Sequence, residues 1–148
     1  MRYKKSYGEQ NDLNLKALVA LSRCFQSVRK REMKTIKAGG LTVAQFGVLE
    51  ILYHKGDLRI SDIIEGTLST GGNMTVVIEN LEKTGYIVRC SDPEDGRACL
   101  IRITKKGREL MDRIFPDHVE NVSSVFNELS SEEKALLIQL LKRLGKHT

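Results

Sequence analysis

The chain has 148 residues, 41% of them apolar, and a formal net charge of +5 at pH 7. That length supports one substantial core rather than two, and no run of about 18 apolar residues is present to cross a membrane. The N-terminal Met-Arg-Tyr-Lys-Lys lacks the apolar segment of a secretory signal, and Cys24, Cys90 and Cys99 match neither a disulfide framework nor a zinc-binding Cys-x-x-Cys pair. The expectation is one cytosolic domain with free thiols and no cofactor.

Residues 1–12 are polar and aperiodic, so a frayed arm is expected there. Leu18, Leu21, Phe25 and Val28 recur at intervals of three and four, the stripe of a helix from about Leu13 to about Lys37. Arg23, Arg29, Lys30, Arg31, Lys34 and Lys37 crowd the same stretch against Glu32; such a run suits an anionic partner but equally forms a solvated face. Ala38-Gly39-Gly40 ends this helix, and Thr42-Val-Ala-Gln45 is a capping box for the next, with Phe46, Leu49 and Leu52 inward and a stop at His54-Lys-Gly56.

A short helix over Ile60–Glu65 is followed by Ser69-Thr-Gly-Gly-Asn73, expected as a polar turn. Met74 to Thr84 then forms a helix with Val77, Ile78 and Leu81 inward, closed by Gly85. Tyr86 to Ile103 reads as a β-hairpin. Pro93 sets its turn, Asp95-Gly96 reverses it, Ile101 and Ile103 share one face, and Arg97 projects from a solvated tip. Thr104 caps a helix running toward Phe126, where Pro116 is expected to introduce a kink. A second capping box, Ser130-Ser-Glu-Glu133, opens a last helix with Leu136, Leu137, Leu140, Leu141 and Leu144 along one seam.

This order predicts a mainly α fold with a small β-hairpin: a winged helix-turn-helix over 42–103, flanked by helices over 13–37 and 104–146. The flanking helices carry more apolar surface than a small domain can cover, so they are expected to pair in a two-fold homodimer. Ser69, Thr70, Gly72, Asn73, Met74 and Thr75 fall at or near the start of the second helix of the motif, the end that meets base edges or phosphates. Asn73 can pair with adenine, a Thr methyl or Met74 can touch a thymine methyl, and glycine N–H groups suit a phosphate. The plainer alternative makes Ser69 or Thr70 a helix cap and leaves Asn73 solvated. Arg97 on a thin ribbon can enter a minor groove; alternatively it is a solvated turn residue paired with Asp95. Arg89, Lys105 and Lys106 are candidate phosphate neighbours.

Cys24, beside Arg23 in the first helix, is the candidate sensor thiol for an electrophile or peroxide; a small buried hydrophobe is the alternative. Cys90 and Cys99 fall on the two hairpin strands, where paired positions can come within disulfide reach. His54, His118 and His147 are too scattered to suggest a metal site.

The order of elements, together with Thr42 to Gln45, Thr75 to Gly85, Asp95-Gly-Arg97 and Thr104-Lys-Lys-Gly107, resembles the multiple antibiotic resistance regulator (MarR) family over roughly residues 13–146. The most specific parts are Asn80-Leu-Glu-Lys-Thr-Gly-Tyr-Ile-Val88 and the Asp-x-Arg at Asp95 and Arg97. The resemblance implies a homodimeric transcription regulator, usually a repressor, on double-stranded DNA of imperfect palindromic sequence. Within the family the chain looks most like members answering phenolic, quinone, electrophilic or peroxide effectors. It also implies that Asp95 orients the Arg97 guanidinium. Many relatives carry arginine after the residue matching Thr75, whereas this chain has Val76. Two rival readings remain at this point, a winged helix that docks only proteins and a small enzyme with Cys24 as nucleophile. Steep salt dependence of DNA binding excludes the first, and a flat turnover assay the second.

Overall fold

A computed structural model describes residues 5–67 and 71–146. In chain order these form α1 (Glu9–Ala38), α2 (Val43–Lys55), β1 (Leu58–Arg59), α3 (Ile60–Thr67), α4 (Gly71–Lys83), β2 (Ile87–Ser91), β3 (Cys99–Ile103), α5 (Lys105–Phe126) and α6 (Ser131–Gly145).

The arm expected to fray is tied down from Ser6. The Asp12 carboxylate accepts from the Ser6 hydroxyl at 2.5 Å and the Tyr7 N–H at 2.9 Å. Those bonds, Ser6 first, hold the Asp12 carboxyl below the usual range and start α1 four residues before Leu13. Both capping boxes form. Thr42 Oγ1 accepts from Gln45 N–H at 3.1 Å while Gln45 Oε1 accepts from Thr42 N–H at 3.0 Å, and Ser130 and Glu133 repeat the exchange at α6. Gly56, at φ +84°, closes α2.

The sheet has three strands in the order β1-β3-β2, all antiparallel, rather than the two of the expected hairpin. Ile101 on β3 pairs with Leu58 on one side and Arg89 on the other, so Ile87, Ile101 and Ile103 turn inward while Val88 and Arg102 face solvent. Under that face lies the core: Phe46, Val48, Leu49 and Leu52 from α2, Ile63 from α3, Met74, Val77, Ile78 and Leu81 from α4, closed by Leu110, Met111 and Ile114 of α5 and Ile36 of α1. Removing each such side chain from water is worth about 1.5–3 kcal/mol.

Thr104 joins the end of α4 to α5, donating to Gly85 O at 2.6 Å and accepting from Gly107 N–H at 3.1 Å. A Cβ on Gly107 would strike the Tyr86 carbonyl oxygen. Helix α5 continues through Pro116 without a break. It packs on α1, where Asn121 Nδ2 donates to Arg31 O at 2.7 Å and Arg31 Nη2 to Ser124 Oγ at 3.2 Å. As the excess of apolar surface on the flanking helices predicts, their stripes are bare among the described residues: Leu18, Leu21 and Phe25 are exposed, and α6 has no buried residue. No single helix among the described residues is long and apolar enough to cross a membrane.

Candidate nucleic-acid interface

Helix α4 begins at Gly71, so Gly72 and Asn73 belong to its first turn rather than to a preceding loop. Ser69 and Thr70 lie outside the described residues. Asn73, Thr75 and Val76 are exposed on one face, and Val77, Ile78 and Leu81 are buried on the other. Met74 departs from its expected role. Its side chain is 1% exposed and packs in the core, because position 74 shares the inward face with Val77, Ile78 and Leu81, three, four and seven residues on.

The wing turns through Asp92–Ala98. Asp92 N–H donates to Ala98 O at 3.1 Å and Ala98 N–H to Asp95 O at 3.0 Å, which closes the loop and leaves Arg97 exposed at its tip. Asp95 Oδ1 accepts from the Arg97 backbone N–H at 3.1 Å. Among the described residues no ion pair joins it to the guanidinium, so Asp95 shapes the turn that carries Arg97 rather than gripping its side chain.

Asp92, not singled out from sequence, is the buried carboxylate of this region at 8% exposed. Its Oδ2 accepts from Arg59 Nε at 3.1 Å and Nη2 at 2.7 Å, and its Oδ1 from Glu94 N–H at 2.9 Å. The Glu94 amide first, and then the Arg59 guanidinium, hold the Asp92 carboxyl below the usual range. One rung away Arg102 grips Asp57 with Nε at 3.0 Å and Nη2 at 2.7 Å. The Asp-Pro step at 92–93 announces a turn, but a partner 33 residues away leaves no local signal.

Of the candidate phosphate neighbours, Lys106 donates to Thr84 O at 2.7 Å above the Tyr86 ring, and Arg89 pairs with Glu82 of α4 at 3.4 Å. Both therefore brace the end of α4. Lys105 stands out in solvent, 3.9 Å from Glu109.

Cys24 is exposed on α1, and all three thiols are free. The hairpin register pairs Cys90 with Leu100 and Ser91 with Cys99, which sends the two cysteine side chains to opposite faces of the ribbon and rules out a disulfide without rearrangement. A cleft of about 730 Å³ opens beside α2. Arg29, Glu50, His54, Lys55 and Thr67 are its polar lining, Val43 and Ile51 belong to its apolar part, and Met74 brings α4 into the wall. Nearby, His118 is buried against Phe46 and Phe115, and the Tyr53 hydroxyl donates to Asp112, the main cause of an upward shift in the Tyr53 phenol.

Two helices in helix-turn-helix order, the second exposing a polar first turn beside a wing tipped with arginine, define a winged-helix DNA-binding protein. The MarR family model matches residues 39–98. HTH-type transcriptional regulator MhqR of Bacillus subtilis is 37% identical over 132 residues, covering 89% of this chain and 91% of that protein. BpsR of Bordetella bronchiseptica, whose DNA binding is regulated by 6-hydroxynicotinic acid, superposes with a TM-score of 0.76 at 28% identity, over 88% of this chain and 98% of that one. A MarR family regulator from Streptomyces coelicolor, solved in complex with DNA, shares the fold with a TM-score of 0.83 at 19% identity, over 97% and 92% of the two chains. The chain belongs to the MarR family, and it is a DNA-binding transcriptional regulator.

Proposed function

We propose that this regulator acts in the cytoplasm as a homodimer, repressing from an imperfectly palindromic operator until a small molecule releases it. The observation that carries the DNA reading is the juxtaposition on one winged helix of Asn73 and Thr75, exposed at the start of α4, with Arg97 at the wing tip. With Met74 inward and Val76 in place of an arginine, α4 presents few strong base readers, so the wing and DNA shape carry a large share of sequence preference. The bare stripes of α1 and α6 support the dimer, which would set two half-sites about 10 base pairs apart.

The cleft supports release by a ligand, because one molecule there would touch both Arg29 of α1 and Met74 of α4. Arg29 and His54 suit the carboxylate or phenolate of a small aromatic acid, the class that regulates BpsR; a phenol or quinone fits the same apolar wall. Cys24 offers a second route. It lies between Leu21 and Phe25 on the bare stripe, so an adduct there would oppose pairing.

The test selects sites from a random duplex library with the reduced protein. A palindrome with half-sites about one helical turn apart is expected. Arg97→Ala should weaken its binding by about 1–3 kcal/mol and leave melting unchanged. Recovery of unrelated duplexes only would overturn the operator reading. An effector must bind free protein more tightly than the operator complex, and equal affinity for both would exclude it as inducer.

A further inference from the structure

We propose that Arg59 and Asp92 form a clamp that sets where the wing tip stands relative to α4, and so determine which flanking bases the regulator accepts. The inference rests on the reading that Arg97 enters DNA. A two-stranded ribbon is marginal by itself, and β2 and β3 have only a short third strand to steady them. That strand, β1, runs without a gap into α3 at Ile60, the first helix of the DNA-binding pair. Arg59 is its last residue. Its guanidinium reaches over Leu100, its partner on β3, to Asp92 at the root of the wing turn.

Both carboxylate oxygens of Asp92 are committed. Oδ2 takes the two N–H groups of Arg59, and Oδ1 takes the Glu94 amide inside the turn. Rotating the turn about the ribbon would break one set or the other. The Asp92 side chain is 9% exposed, so a lost bond there is poorly replaced by water, while the Arg59 side chain is 45% exposed and tolerates exchange. A minor-groove arginine discriminates by groove width and position; a tip free to swing still meets phosphates but no longer prefers one flank.

The test uses the full chain, reduced, with three duplexes: the selected operator, one with the wing-contacted flank changed, and one with a base of the α4 half-site changed. The ratio of affinities for two duplexes cancels the fraction of folded protein, so mere destabilisation does not move it. Arg59→Met and Asp92→Asn should each lower flank discrimination by about threefold or more while half-site discrimination stays within about twofold. Arg59→Lys, with charge but no fork, should fall between, and the double variant should be no worse than either single one. If Asp92→Asn does not fold, the two Arg59 variants carry the test.

Retained flank discrimination in Arg59→Met overturns the clamp. So does a uniform loss of affinity for all three duplexes with a salt slope reduced by about one phosphate, which would make Arg59 a direct DNA contact. Arg97→Ala separates the two levels. If it abolishes flank discrimination and the clamp variants do not, the clamp alone fails; if it leaves discrimination intact, the wing reading fails and the clamp falls with it.

Discussion

Leu49, Leu52, Ile63, Ile78 and Leu81 are shut away from water, whereas Leu18, Phe25, Leu136 and Leu144 keep more than half of their surface exposed. Both groups recur at helical spacing. What separates them is the layer opposite: α2, α3 and α4 have the sheet and each other, while among the described residues the first half of α1 and all of α6 bury no side chain. The winged helix thus completes its core with α5 and the end of α1, whereas the outer stripes of α1 and α6 stay uncovered among the described residues. In the proposed dimer, spacing between the two DNA-reading units would therefore be set through α1 and α6.

The comparison breaks most sharply at Leu140, half exposed on α6. In a two-fold dimer Leu140→Glu removes two leucines at about 1.5–3 kcal/mol each, so the dissociation constant should rise by about 10²–10⁴. Sedimentation equilibrium reads this directly, and operator affinity should fall with it. Unchanged mass and affinity would show that α6 is not the interface. Leu81, fully buried on α4, gives the complementary case. Leu81→Ala should cost about 2–5 kcal/mol in urea unfolding through transfer and cavity terms. The loss should not depend on protein concentration, whereas that of Leu140→Glu should.

Much of this architecture was legible locally. Thr42–Gln45 and Ser130–Glu133 signalled their helices because a capping box is contained in four residues, and the inward stripe of α4 followed from period alone. Strand β1 escaped because two residues carry no period, and it exists by pairing with Ile101 and Leu100, more than forty residues away. Met74 has the chemistry of a thymine-methyl contact but not the facing, since α4 extends back to Gly71 and makes it part of the buried stripe. Asp92 and Arg59 were invisible as a pair because neither is unusual alone. The apolar stripe of α1 was legible as a face in want of a partner, because periodicity reports that a face is apolar, although not which surface lies against it.

The smallest expected effect is a titration that distinguishes the two regions, since each holds an aspartate whose carboxyl is kept below the usual range. Asp92 is held low by the Glu94 amide and Arg59 in the wing, and Asp12 by Ser6 and the Tyr7 amide at the start of α1. A carboxyl with a depressed folded value contributes stability above its unfolded value, near 3.9, and loses it as pH falls through the folded value. Nothing should change between pH 7 and about 5 on this account. Below about pH 4 the Glu94 amide should lose hydrogen-exchange protection as the Asp92 carboxyl takes up its proton, and Asp92→Asn should remove that pH step. Asp12→Asn should remove the corresponding step at Tyr7 and leave the wing alone. A wing whose protection in the Asp92→Asn protein still fell over the same window would owe its acid sensitivity to carboxylates other than Asp92.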